Sequence, residues 1–196
     1  YLSNYGKTYF SKKSYNNHLG VPLSLSNLEN DHQFGVFEIG MNKPGEIRKL
    51  SSLVKPDVGI ITNIGEAHIQ NFKNLSGIAK AKSEIIENIN KNGFLILNKD
   101  DKYFNYLSKI AKKKKIKVLS FGVTKKSDAY LIKHKIYKNH NLLNLKVLNH
   151  KILLKTKNIN SLSIFNILSS LLTLSIFNLN LLKMKRAKQK GGFGHD

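Results

Sequence analysis

Short apolar runs alternate with stretches of helical spacing along the first two-thirds of the chain. Phe34-Gly35-Val36-Phe37-Glu38-Ile39 predicts a strand closed by Gly40. Val58-Gly59-Ile60-Ile61-Thr62, Phe94-Leu95-Ile96-Leu97-Asn98 and Lys117-Val118-Leu119-Ser120-Phe121-Gly122 predict three more. Between them, helices are predicted over residues 20–28, with Pro22 near the start, and over 46–54, ended before Pro56. Two further helices are predicted over 78–89, apolar at 78, 81, 85, 86 and 89, and over 101–112. Strands that are apolar throughout, separated by helices, pair in parallel with both faces covered. After Asp128 the pattern changes. Residues 129–136, 142–148 and 151–155 are separated by Asn- and His-rich turns and predict an antiparallel meander. The expected fold class is α/β: a mostly parallel sheet flanked by helices, with a small meander toward the C-terminal part.

Residues 161–182 carry no charge and precede a basic cluster, so a membrane span has to be weighed. Ser163, Asn166, Ser170 and Thr173 recur on one helical face, with Phe165, Leu168, Leu171 and Leu172 elsewhere. A polar stripe of that length predicts a helix buried on one side, and no membrane span is expected. Residues 1–182 are read as one domain and 183–196 as a basic, disordered tail. Tyr1 is followed by no charged-then-apolar signal segment, so the chain is expected to begin inside a longer or processed one.

Composition narrows the function. The absence of cysteine excludes disulfides and thiolate metal sites and fits a reducing cytoplasm. Thirty-three basic residues against 12 acidic give a net charge of +21. Such a chain could bind nucleic acid through phosphates. The lysines are spread widely, however, and the one run, Lys112 to Lys115, reads as a solvated helix end. Nucleic acid is not expected; a basic surface also suits an anionic nucleotide substrate.

In parallel α/β sheets ligands bind beyond the carboxyl ends of the strands. Glu38 closes the first predicted strand and Thr62-Asn63 the second, with His68 six residues past Thr62; Asn98 precedes Asp100-Asp101. A carboxylate, an imidazole and several amides at one crevice suit Mg²⁺ or Mn²⁺. Taken singly, each has a plainer reading: a cap or ion-pair partner for Glu38, a hydrogen-bonded histidine for His68, a helix cap for Asp100-Asp101. Gly6-Lys7-Thr8 has Tyr1 where a phosphate loop needs its first glycine, and is read as coincidental.

Five ordered blocks carry a resemblance. Asn16-Asn17 with Gly20-Val21-Pro22 resembles N-N-x-x-G-V-P; Glu38-Ile39-Gly40-Met41-Asn42 with Gly45-Glu46-Ile47 resembles E-[IM]-G-x-N-x-x-G-E-I. Thr62-Asn63-Ile64 with Ala67-His68, Ala79 to Ile85 around Lys82, and Leu97-Asn98 with Asp100-Asp101 resemble T-N-[IV]-x-x-A-H, A-x-A-K-x-E-I and L-N-x-D-D. These are the blocks of the central, ATP-binding region of Mur ligases, in the branch that uses D-alanyl-D-alanine.

The resemblance implies a bacterial cytoplasmic ligase, expected to be a monomer, with ATP and Mg²⁺ as cofactors. It joins D-alanyl-D-alanine to UDP-MurNAc-tripeptide in peptidoglycan precursor synthesis, through an acyl phosphate. It implies Glu38 and His68 as magnesium ligands and Lys82 as a lysine that takes up CO₂ to become a metal-binding carbamate, these three forming the catalytic set. Asn16 and Asn17 would lie by the UDP-linked substrate, or serve turn chemistry. Asn166 resembles the adenine-contacting asparagine, although Asn160 and Leu162 stand where the family has glycine and histidine; Asn63 would also lie by the nucleotide. The phosphate loop would lie before Tyr1, so the 196 residues alone are expected to have little or no ligase activity. Another ligase of the same superfamily, such as folylpolyglutamate synthetase, and a basic nucleic-acid-binding module are the alternatives.

Overall fold

A computed structural model describes residues 1–12, 14–66, 69–157 and 160–181, without the side chains of Ser161 and Leu162. His68 and the tail expected at 183–196 lie outside the described residues.

Two sheets are present among these residues. β1 (Thr8–Phe10) and β2 (Phe34–Val36) pair in parallel. β3 (Val58–Ile61), β4 (Phe94–Asn98), β5 (Lys117–Gly122), β6 (Ala129–Tyr137), β7 (His140–Val147) and β8 (His150–Thr156) form the second sheet in chain order. β3 to β6 are parallel and β6 to β8 antiparallel, so the expected α/β class holds and the meander extends the same sheet. Strand direction reverses at β6–β7, one strand past the narrow parallel junction of β5 with β6, which pair only through Phe121 with Ala129 and Gly122 with Tyr130. Asp128 secures that junction, accepting from the Ser120 N–H and hydroxyl, both at 2.7 Å.

β4 shows why its sequence is apolar on both faces. Leu95 and Leu97 face α4 (Phe104–Lys113), meeting Leu107 and Ala111, whereas Ile96 joins the core around α5 (Ser161–Ile176). The period-two alternation sends neighbours to opposite faces, and a helix covers each. In β7 and β8 only one face is buried: Leu143, Leu145, Val147, Ile152 and Leu154 pack with Leu168, Leu171 and Leu172 of α5. Ser163, Ser170 and Thr173 are part-exposed and Asn166 exposed, as the polar stripe predicted. No helix of the described residues is long and apolar enough to cross a membrane.

Several boundaries differ from expectation. β2 stops at Val36 rather than residue 39 because its partner β1 ends at Phe10; beyond it, the Ser11 hydroxyl receives the Glu38 N–H at 3.4 Å. β1 itself was not predicted. α1 (Gly20–Ser26) and α2 (Glu46–Val54) match closely. The helix expected over 78–89 begins at Leu75, where the Asn74 side chain caps it by accepting the Gly77 N–H. This α3 (Leu75–Ser83) then tightens into a 3₁₀ turn, Glu84–Glu87. α4 begins at Phe104 rather than 101, because Asp101 is engaged elsewhere.

Candidate functional site

The segments that carry the proposed ligands share one floor. Met41, Ile47, Phe72, Ile78 and Ala81 form a buried cluster, with Ile39, Ile64, Leu75 and Ile85 packed against it. Ile39 follows Glu38, Ile64 follows Asn63, and Ala81 precedes Lys82. The loop after β2, the loop after β3 and α3 therefore converge at a single apolar centre. Phe72, just past the 3₁₀ turn Ile69–Asn71, joins the same centre; His68 is outside the described residues.

Glu38 is exposed, two residues beyond β2. Its Oε1 accepts a hydrogen bond from Asn16 Nδ2 at 2.7 Å. The Asn16 carbonyl in turn accepts the Gly40 N–H at 2.8 Å, so Asn16 grips the loop on both sides of Ile39. Gly40 is needed for this approach: a Cβ there would lie 2.9 Å from Asn16 Cγ. Further along the loop, Glu46 accepts the N–H groups of Asn42 and Lys43, at 2.5 and 3.0 Å. Those bonds, Asn42's first, hold its carboxyl below the ordinary range.

Lys82 is part-buried, and its Nζ donates to the Asn63 carbonyl at 2.9 Å. Burial pushes its pKa below that of an ordinary lysine, with the charge of Asp101 pulling the other way. Asp101, read from the sequence as a helix cap, does not cap α4, whose N-cap position is Tyr103 with no side-chain hydrogen bond. Its Oδ2 accepts the Ile64 N–H at 2.6 Å and its Oδ1 the Tyr103 N–H at 2.8 Å, tying the β3 and β4 loops together. Asp100 likewise reaches outward, to the Val123 N–H at 2.7 Å.

The chain thus brings together Asn16 with Glu38 and Asn63 with Lys82. Asn17 is taken up by turn chemistry: its Oδ1 accepts the Leu19 and Gly20 N–H groups where α1 opens. Asn166 is exposed on α5, whose core is a different cluster from the one beneath Glu38 and Lys82. Asn160 caps α5 by accepting the Ser163 N–H at 2.8 Å.

Glu84 was missed by sequence reasoning. It is 7% exposed, and its carboxylate accepts the N–H groups of Gly45 at 2.8 Å and Arg48 at 3.1 Å, at the start of α2. Its signal was an acidic residue beside Ile85 and Ile86, where a solvated glutamate would be out of place.

A second cluster has another use. Ligand atoms of Glu29, Asp31 and His32 lie within 4.8 Å of one another. The Lys7 ammonium already sits among them, 2.5 Å from Glu29 Oε2 and 2.7 Å from Asp31 Oδ1. Gly6-Lys7-Thr8 is therefore an ion-paired lead into β1, and the cluster carries its own cation.

The Mur ligase middle-domain profile matches residues 2–174. The UDP-N-acetylmuramoyl-tripeptide--D-alanyl-D-alanine ligase of Rickettsia prowazekii is 39% identical over 126 residues, 64% of this chain and 28% of that protein. The Escherichia coli enzyme of the same name is 37% identical over 114 residues, 58% of this chain and 25% of that protein. A crystal structure of MurF from Acinetobacter baumannii superposes with a TM-score of 0.89 at 27% identity, covering 98% of this chain and 42% of that one. MurF from Thermotoga maritima, solved in complex with ADP, shares the fold with a TM-score of 0.84 at 23% identity, over 96% of this chain and 44% of that one. The matches span about a quarter of those relatives and less than half of those solved chains. With the profile matching most of its length and the architecture agreeing, the chain belongs to the Mur ligase family, as a middle domain.

Proposed function

We propose that this chain supplies the metal- and nucleotide-handling centre of an ATP-dependent ligase that joins D-alanyl-D-alanine to UDP-MurNAc-tripeptide in the bacterial cytoplasm. The supporting observation is the shared apolar floor beneath the Glu38, Asn63 and Lys82 segments, the blocks in which the family resemblance resides.

The donor set fits Mg²⁺. Glu38 offers a hard carboxylate, fixed through one oxygen by Asn16. Lys82 suits CO₂ capture because its depressed pKa enlarges the share of neutral amine. The Nζ lone pair attacks the carbon of CO₂; an N–C bond forms, one C=O electron pair moves onto oxygen, and a proton leaves Nζ for solvent. Counting the proton that the ammonium gives up first, two protons are lost, and a cation becomes an anion that could hold a divalent metal together with Glu38 and, as proposed, His68. Bound Mg²⁺ neutralises phosphate charge on ATP. Asn16 orients Glu38, and the Asn63 carbonyl orients Lys82 Nζ. Asn17 stands at the substrate side by way of its turn, and Asn166 is the proposed adenine contact.

Incubation with [¹³C]bicarbonate tests the reading. A carbamate carbon signal bonded to a lysine nitrogen is expected, lost in Lys82→Arg and strengthened by Mg²⁺ only when Glu38 is intact. Absence of the signal from the folded chain across pH 7 to about 9.5 sinks the reading; that window runs up toward the ordinary lysine value.

A further inference from the structure

We infer that Glu84 is a positioning residue, which sets the separation between Glu38 and Lys82 by fastening the loop after β2 to the helix that carries Lys82. This rests on the reading of Glu38 and Lys82 as the metal-binding pair.

Lys82 and Glu84 sit at the junction of α3 and its 3₁₀ turn. Two residues span about 200° around a helix, so their side chains leave in nearly opposite directions. Lys82 reaches the Asn63 carbonyl, in the loop after β3. Glu84 reaches the Gly45 and Arg48 N–H groups, at the end of the loop that starts at Glu38. One short segment thus spans the gap between the two halves of the site.

The loop from Glu38 to Gly45 has three fixed points. Asn16 holds it at Glu38 and Gly40, Glu46 at Asn42 and Lys43, and Glu84 at Gly45. Of these hydrogen bonds only the last comes from the segment that carries Lys82, directed where the non-directional packing of Ile39 and Met41 in the cluster with Ile78 and Ala81 is not. β2 and β3 belong to separate sheets, so no strand ladder among the described residues fixes that distance. Gly45 adopts φ +88°, a conformation that a side chain would strain, and it leaves the N–H facing Glu84. A second tie between the same elements, the forked Arg48–Glu87 pair at 2.8 and 3.0 Å, is exposed. It joins the helix bodies without touching the loop's end. A buried carboxylate with two backbone donors holds geometry more tightly than a solvated pair.

Paramagnetic broadening of backbone amide signals by Mn²⁺ tests this on the 196-residue chain. In the wild type, the amides of Ile39 and Gly40 and those of Asn63 and Ile64 are expected to broaden at the same Mn²⁺ concentration. In Glu84→Gln one donor loses its acceptor and faces an NH₂ group instead. The two sets are then expected to separate at least tenfold in Mn²⁺ midpoint, with secondary structure retained. Arg48→Ala is expected to leave them together. If Glu84→Gln does not fold, Glu84→Asp, which keeps the charge and loses one methylene of reach, carries the same readout. Joint broadening in the Glu84 variant at the wild-type midpoint overturns the positioning role. If the wild type shows no joint broadening, or if Glu38→Gln leaves it unchanged, the metal-site reading falls and this inference with it.

Discussion

Glu84 Oε2 accepts the Arg48 N–H at 3.1 Å while its other oxygen takes the Gly45 N–H, closing the start of α2 from a neighbouring element. The first turn of a helix has no internal partners for its N–H groups, and a buried end without them is costly. Glu84→Ala is therefore expected to lower stability by about 3 kcal/mol in urea denaturation, from two unsatisfied donors and the lost charge at the helix start. Arg48→Ala, which breaks only the exposed fork with Glu87, is expected to cost under about 1 kcal/mol. Equal losses would contradict the distinction.

Lys82 gives a pH signature. A lysine whose pKa is lowered by folding binds fewer protons when folded than when unfolded. Stability therefore rises with pH between that lowered value and the ordinary 10.5, and below the window the penalty is constant. The wild type minus Lys82→Met difference, followed by denaturation from pH 6 upward to about 10.4, is expected to show this rise. Asp101→Asn removes the charge that opposes the shift and is expected to start the rise at lower pH. A flat difference would mean that Lys82 is solvated like its many neighbours.

Gly40 and Asn16 are coupled by close approach as well as by the Gly40 N–H on the Asn16 carbonyl. A methyl group at residue 40 would meet the Asn16 side-chain end at 2.9–3.0 Å, and that flexible end can move away. Gly40→Ala is expected to cost little stability and to break the hydrogen bond to Glu38. It should weaken Mn²⁺ binding by the same factor as Asn16→Ala, measured by calorimetry, and the double substitution should add nothing further. Additive effects would separate the two residues.

The isolated 196 residues are expected to show no ATP-dependent joining of D-alanyl-D-alanine to UDP-MurNAc-tripeptide above background. Their Gly6-Lys7-Thr8 sequence is committed to an ion pair and a strand, not to phosphate. Lys7→Ala is expected to leave any nucleotide binding unchanged. Product detected by chromatography and mass spectrometry would refute the expectation of inactivity.

Much of the fold was legible because its strands are buried on both faces. The run Leu95-Ile96-Leu97 admits no solvent-facing side, so cover on both faces followed from the pattern; that α4 and α5 supply it is seen only in the structure. β1 was hidden because Thr8-Tyr9-Phe10 is only part-buried and lies among polar and basic neighbours, leaving no period to read. The helix start at Leu75 hid because Asn74 was not read as a cap. Glu38, Asn63 and Lys82 were singled out as candidates through their flanking blocks rather than through any local pattern of charge. The roles of Glu84 and Asp101 could not be read that way, since their partners, Gly45 and Ile64, are backbone amides 37 or more positions away.

The parting between the two sheets has a mechanical consequence. β1 and β2 are joined to the rest by side chains and ring contacts, such as Phe34 against Phe177 and the Tyr5 hydroxyl on the Asn180 carbonyl. A seam held by removable groups opens at lower free energy than a ladder of main-chain bonds. Deuterium should enter the Thr8–Phe10 and Phe34–Val36 amides well before those of β4. Point substitutions along that seam could then adjust the grip on a metal ion while the larger sheet stays intact.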